Sequence, residues 1–147
     1  MAHYLFNFVN GDATKASAAA EAAELMRLGI WGIEPDERHH DALAPGDLVL
    51  IYLGAPDSEF IGRAELASAA HRWARSEAAS YPGRSASGVL MTRVEEWDPP
   101  VPMSDVLAQM DPSQNAKAEF EAGVVRITAG EYETAVAVAA ERASSTD

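Results

Sequence analysis

The chain has no cysteine. That absence removes disulfides, thiolate nucleophiles and every zinc site that needs a Cys ligand. Long apolar runs are missing too, and no stretch approaches the roughly 20 residues that cross a bilayer. The opening Met1-Ala2-His3-Tyr4 lacks the basic start and apolar run of a leader segment. Together these absences favour a reducing, cytoplasmic location and no membrane partner. Basic residues are scarce: 11 Lys and Arg against 23 Asp and Glu give a formal net charge of −12. Generic duplex binding depends on neutralising phosphates, so an acidic chain suits it poorly.

What is present describes one domain. The chain has 147 residues, 48% of them apolar, which is enough to close a single core. Its basic residues are unevenly spread. Between Arg63 and Arg93 there are five arginines (Arg63, Arg72, Arg75, Arg84, Arg93) against Glu65 and Glu77, with His71 in addition. Such a stretch is either a phosphate-facing patch or a chance cluster on a solvated surface.

Alternation from His3 to Val9 predicts a strand. The alanine-rich stretch Lys15 to Leu28 predicts a helix, with Thr14 as its cap and Gly29 at its end. After Ile30-Trp31-Gly32-Ile33, the polar stretch from Glu34 to Leu43 reads as a loop with a helical turn. Ala44-Pro45-Gly46-Asp47 is a tight turn into the apolar run Leu48 to Leu53. Gly54 to Ser58 turns the chain back into Phe60 to Leu66, a hairpin in which Gly62 marks a bulge or a close backbone approach. His71 to Ser87 reads as a long connection. Gly88 to Trp97 is a strand that Pro99, Pro100 and Pro102 are expected to stop. Ser104 is placed to cap a short helix reaching Met110, and Asp111 to Ala116 reads as loop. Val124 to Ile127 is a short strand. Thr128 and Glu131 have capping-box spacing before a helix to about Arg142. Helices at both ends of a mainly β middle predict an α+β domain, a small β-barrel with flanking helices.

Motifs for chemistry are few. His39-His40-Asp41 is the densest metal-capable cluster, but adjacent histidines diverge on regular structure, and a surface loop is the better reading. There is no Gly-x-Ser-x-Gly elbow and no Walker loop. Glu95 and Glu96 fall on alternate faces of one strand and so do not form a glycosidase pair. No catalytic residue, metal or cofactor is assigned.

Five segments in order carry a resemblance. They are His3-Tyr4-Leu5-Phe6, then Gly29 to Ile33 followed by Leu43 to Tyr52, then Phe60 to Leu66, and finally Arg126 to Tyr132. Together the chain resembles the EVE domain, a member of the PUA-like superfamily related to the YTH and SRA readers. The resemblance implies a pseudobarrel with a pocket for one flipped or unpaired base, often a modified one, in DNA or RNA. A base needs flat aromatic walls and a few polar groups at its hydrogen-bonding edge.

On that resemblance Trp31 is the first pocket candidate, with Gly32 beside it; the alternative is a core tryptophan. Tyr52, Leu53 and Gly54 end the central strand, where the tyrosine hydroxyl either faces a cavity or is satisfied in the barrel core. Asn7 offers an amide to a base edge or faces solvent. Trp73 stands among arginines, placed to stack on a base or to tuck onto the domain. Ser113 and Asn115 precede the last strand, at the expected pocket rim. Arg63, Arg72, Arg75 and Arg84 are the candidates for the nucleic-acid backbone. Two features depart from the family: the rim segment has no tryptophan or tyrosine, only Phe120, and the chain is strongly acidic. The ranked expectations are a modified-base or unpaired-base reader, a small-molecule module for a nucleotide-like ligand, a nucleotide-acting enzyme, and a protein-interaction domain.

Overall fold

The structure is a computed structural model that describes residues 2–8, 15–37, 39–53, 59–81, 85–107 and 124–145. Thr14, Gly54, Arg84, Met110, Ser113, Asn115 and Phe120 lie outside the described residues. In chain order the elements are β1 (His3–Phe8), α1 (Lys15–Leu28), β2 (Ile30–Gly32), a 3-10 turn (His40–Ala42), β3 (Leu48–Leu53), β4 (Glu59–Leu66), β5 (His71–Arg72), α2 (Arg75–Ser80), β6 (Ser87–Pro102), α3 (Met103–Leu107), β7 (Val124–Ile127) and α4 (Ala129–Ser145).

The strands form one curled, half-barrel sheet in the order β2-β6-β4-β3-β1-β7, with the short β5 also on β6. Every pairing is antiparallel except β1 with β3, which run parallel from His3↔Leu48 to Phe8↔Leu53. A parallel pair cannot be joined by a hairpin. Here α1, β2 and the loop that follows make the crossover.

Side-chain alternation gives the sheet two buried faces. On one, Tyr4, Phe6, Trp31, Val49, Ile51, Leu53, Ile61 and Val89 pack against Ala22, Leu25 and Met26 of α1. Those helix residues recur at the i, i+3, i+4 spacing of an apolar stripe. On the other, Leu5, Leu50, Tyr52, Phe60, Trp97, Val101, Val125 and Ile127 pack against Tyr132, Ala135 and Val138 of α4, with Met103 and Val106 of α3. The two faces are called the α1 face and the α4 face below.

The local signals explain the ends of the elements. Gly29 has φ +70°, and its N–H donates to the Leu25 carbonyl at 3.0 Å, closing α1 with a left-handed residue. At the start of α4, the Glu131 N–H donates to the Thr128 hydroxyl at 3.0 Å and the Thr128 N–H to the Glu131 carboxylate at 2.9 Å, a reciprocal capping box. The turn before β3 is held by a buried carboxylate. Asp47 accepts from the N–H of Ala44 at 3.0 Å and from that of Ala2, just before β1, at 2.9 Å. Gly46, at φ +92°, supplies the left-handed step the turn requires.

Two expectations need correction. The strand β6 does not stop at the prolines but continues to Pro102. Between Gly62↔Glu96 and Phe60↔Val101, β4 advances two residues while β6 advances five. Pro99 and Pro100 fall in that irregularity, where a missing N–H breaks no ladder bond. The connection from His71 to Ser87 is also not structureless, since it contains β5 and α2.

Gly62 lies at the same irregularity, and a Cβ there would overlap the Glu95 carbonyl and the Met26 side chain. Gly62→Ala therefore lowers unfolding stability by about 1–3 kcal/mol, as overpacking does, measured as a lower urea midpoint at unchanged slope. Asp47→Ala leaves two N–H groups without their acceptor and costs about 2 kcal/mol or more. Asp47→Asn, which keeps an amide oxygen, loses less in the same urea titration.

Candidate functional site

The described strands leave two sheet edges, β2 and β7. The loop between β2 and β3 spans the seam between them. At one end, the Ile33 N–H donates to the Ser87 carbonyl at 2.9 Å, and the Ser87 hydroxyl donates to the Ile33 carbonyl at 2.6 Å. Beside it, the Ser85 hydroxyl donates to the Glu34 carboxylate at 2.6 Å. At the far end, the Val124 N–H, first in β7, donates to the Glu37 carboxylate at 3.0 Å. A side-chain oxygen thus takes the place of a neighbouring strand for an edge N–H. His39, in the left-handed conformation, lays its ring 5.9 Å from that of Tyr4. The Arg126 guanidinium, on β7, sits over the same tyrosine ring at 5.4 Å.

Trp31 belongs to the core of the α1 face, which Ile33 and Leu43 of this loop also join. Phe6 is offset-stacked on its ring at 6.1 Å and 26°, and Phe8 meets it edge-on at 5.9 Å and 72°. Its relative exposure is 4%, so the core reading describes its ring in this conformation. Leu53 is buried on the same face. Tyr52 is on the α4 face, its ring 5.1 Å from that of Phe60. Asn7 is buried and lies opposite Tyr52 in the β1–β3 register. The structure therefore brings Trp31 together with Leu53, and Asn7 together with Tyr52, with the sheet between the two pairs.

Trp73 is tucked onto the domain. Its Nε1–H donates to the Ser85 carbonyl at 2.9 Å, Tyr81 covers its ring at 5.2 Å, and His71 meets it edge-on at 5.6 Å. Gly32 lies directly beneath Tyr81, whose hydroxyl occupies the space a Cβ would need. Burial pushes the Tyr81 hydroxyl above its ordinary range, with hydrogen bonding to Ser85 working against it.

The arginines divide into two groups. Arg63 is on the α4 face, bonded to Glu95 at 2.9 and 3.0 Å and in contact with Tyr132. Burial opposes its charge, and Glu95 and Tyr132 more than restore it. Burial raises Tyr132, and the Arg63 charge opposes that rise. Arg27 pairs with Glu96 at 3.1 Å, Arg93 with Glu65 at 3.7 Å and Arg142 with Asp105 at 2.8 Å. Glu95 and Glu96 thus serve opposite faces of β6, as their adjacency in a strand predicts. Arg72, Arg75 and Arg126 are exposed and have no ion pair among the described residues.

Sequence reasoning missed several of these groups. Arg126 was passed over as part of a short strand, although it is the one charged residue in Val124-Val125-Arg126-Ile127. Phe8 and Glu37 carried no separate signal, Phe6 entered only within the opening strand, and His39 only within the cluster His39-His40-Asp41. His40 turns its Nδ1 to Asp41 at 3.0 Å while His39 faces Tyr4, so the two histidines diverge.

No family model matches the chain, and no curated protein matches it. Solved structures do. A hypothetical protein from Leishmania major aligns over 97% of this chain and 96% of its own at 15% identity and a TM-score of 0.67. A protein from Pseudomonas putida aligns over 94% of this chain and 99% of its own at 16% identity and a TM-score of 0.63. The ASCH protein of Zymomonas mobilis aligns over 92% of this chain and 94% of its own at 12% identity and a TM-score of 0.51. At such identities the likeness is one of fold alone: this chain shares the curled-sheet α+β architecture of these structures.

Proposed function

We propose that this domain binds a nucleobase, unpaired or modified and carried in nucleic acid, without catalysing a reaction on it. The observation that carries this reading is the distribution of arginines. Among the described residues, Arg27, Arg63, Arg93 and Arg142 are each held by an acid, whereas Arg72, Arg75 and Arg126 are not. The three free cations flank one feature. Arg126 stands on Tyr4, which touches His39 of the seam loop, and Arg72 and Arg75 belong to the segment that Ser85 joins to Glu34 of the same loop.

The core that Ile33 and Leu43 of the loop join holds the Phe6–Trp31–Phe8 aromatic row, of which Phe8 is the partly exposed end. On this reading the base stacks at the Phe8 end and the arginines take phosphates, a division between stacking and charge that single-strand binding uses. Glu34 and Glu37 accept bonds from Ser85 and Val124, so both loop carboxylates have structural work. The EVE-like order of segments and the curled-sheet fold support the same reading; PUA-like and, more narrowly, EVE membership is part of the proposal. A cytoplasmic location is proposed with it. Among the described residues, no helix is long and apolar enough to cross a membrane.

A second reading, a free nucleotide-like ligand, draws on the net charge of −12, which disfavours a long polyanion. Tryptophan fluorescence titration with short single-stranded oligonucleotides, unmodified and methylated, beside free nucleosides and nucleotides separates the two. The expected outcome is quenching by oligonucleotides, stronger for one modification and lost in Trp31→Phe with the fold intact by circular dichroism. Equal affinity for the free nucleotide moves the assignment to the second reading.

Arg126→Ala and the double variant Arg72→Ala/Arg75→Ala weaken oligonucleotide binding several-fold. Each arginine removed flattens the salt dependence by about 0.7 in log–log slope. Arg142→Ala, on the α4 face, leaves that slope unchanged.

A further inference from the structure

The segment from His71 to Tyr81, containing β5 and α2, has no buried residue. A six-residue helix such as α2 is not stable by itself. Two attachments hold the segment to the sheet, and a third contact folds it on itself. The two-residue β5 pairs with Ser87 and Gly88 of β6. Trp73 and Tyr81 sit in a notch that only glycine provides, since a Cβ on Gly88 would overlap the Trp73 ring and one on Gly32 the Tyr81 hydroxyl. The third contact, the His71–Glu77 pair, lies within the segment and ties α2 to β5. Gly32 follows Trp31, so the notch lies beside the aromatic row assigned to the base.

We propose that α2, with Tyr81, is a lid over the notch, latched to β5 by the His71 imidazolium and Glu77, and that it opens when His71 loses its proton. The proposal rests on the nucleobase reading for its role at the site, and on geometry for the latch. His71 Nδ1 lies 2.9 Å from the Ala69 carbonyl, and Nε2 lies 2.9 and 3.1 Å from the two Glu77 carboxylate oxygens. Both ring nitrogens therefore face acceptors. Only the doubly protonated ring donates at both; the neutral ring has one N–H and sets a lone pair against an acceptor on its other side.

The latch also reaches into α2. Glu77 accepts from the Ala74 N–H at 2.7 Å, so releasing His71 loosens the carboxylate that organises the first turn. The groups facing His71 are the Ala69 carbonyl, Glu77 and the edge of Trp73; its pairing partner on β6 is the uncharged Gly88. Arg72 is its charged sequence neighbour. At the other end of the lid, Tyr81 lies near Ser85 and Glu34.

The direction of titration agrees with the geometry. The Ala69 carbonyl first, opposed by burial and then aided by Glu77, raises the His71 imidazolium above its ordinary value of 6.5. The Ala74 N–H first, then His71, lowers Glu77 below its ordinary 4.5. A raised histidine holds the latch fully below its unfolded pKa and loses it as pH rises through the raised value. A lowered carboxylate loses it only as pH falls through the depressed value. The lid is therefore closed in mildly acidic solution and released in mildly alkaline solution.

The test uses the whole chain and the hydrogen exchange of its three indole N–H groups by NMR, with Trp73→Phe to assign the Trp73 resonance. Between about pH 6 and about pH 8.5, a span that carries a histidine through its titration, the Trp73 indole is expected to speed up well beyond the base-catalysed increase shown by Trp31. In His71→Gln, and independently in Glu77→Gln, its exchange is fast at both ends and gains no extra pH dependence. If Trp73 tracks Trp31 in the unmodified chain, or if both variants keep its pH response, the latch is wrong. Oligonucleotide affinity measured at the same two pH values then tests the role. Binding at least about threefold tighter at the alkaline end, a gain His71→Gln removes, supports a lid on the site. Equal binding at both ends overturns that role. An opening lid with no oligonucleotide bound at either pH upholds the latch and overturns the nucleobase reading.

Discussion

The carboxylate of Asp47 holds the N–H of Ala2 and that of Ala44 at the point where β1 and β3 start side by side. That clasp sets the register of the single parallel pair in an otherwise antiparallel sheet. Everything else is ordered around it. Antiparallel neighbours are found through short connections, but the parallel pair joins residues about 45 positions apart, and its closure must offset the entropy of the intervening chain. Burial on both faces supplies the offset. The crossover brings α1 onto one face and sets β2 on the far edge, and so creates the seam that the loop from Ile33 to Leu43 has to bridge.

A sheet buried on both faces constrains where a ligand can sit. Residues that adjoin along β3 are separated by the sheet itself, so Tyr52 and Leu53 belong to different cores. A pocket built from both would need the sheet to open. The seam is different. There the regular ladder ends, a carboxylate replaces a strand at Val124, and the side chains of two edges meet a loop. On the proposed function, a planar ligand entering at the seam would reach the aromatic row without breaking main-chain pairing. The same edge carries the lid segment, whose few contacts place it at the low end of local stability.

Much of this was legible in the residues. The helix Lys15–Leu28 and the strands Leu48–Leu53 and Val124–Ile127 stand where composition and periodicity place them, because each buries a regular stripe or a continuous run. The segment Arg75–Ser80 was invisible because it buries nothing, so no periodicity exists to detect; its tertiary anchors are Trp73 and Tyr81. The extension of β6 through three prolines depends on a register shift against β4, which is a property of two strands together. The site was legible only in part for a related reason. Leu48 to Leu53 is apolar on both faces, so alternation could not say that Tyr52 and Trp31 face apart. Arg126 gains its meaning from Tyr4, its partner across the β1–β7 pair, a contact between residues more than a hundred positions apart.

On the proposed function, the acidity of the chain and a polyanionic ligand are reconciled by the same distribution of arginines. At physiological ionic strength the screening length is about 8 Å, so a phosphate at the seam responds to the groups beside it more than to the net charge. An arginine already held by a carboxylate, such as Arg63 on Glu95, has little to gain from a phosphate, since one anion would merely replace another. Arg72, Arg75 and Arg126 have no such partner among the described residues, and only they gain on contact. Among the described residues only these three arginines are free of an acid, and charge at three positions alone holds a duplex weakly. On the proposed function, affinity comes mainly from stacking and edge recognition of a base that is already out of its pair. That division favours an unpaired base over a base in intact duplex, and it makes access to the aromatic row, rather than charge, the quantity a regulator of this domain would control.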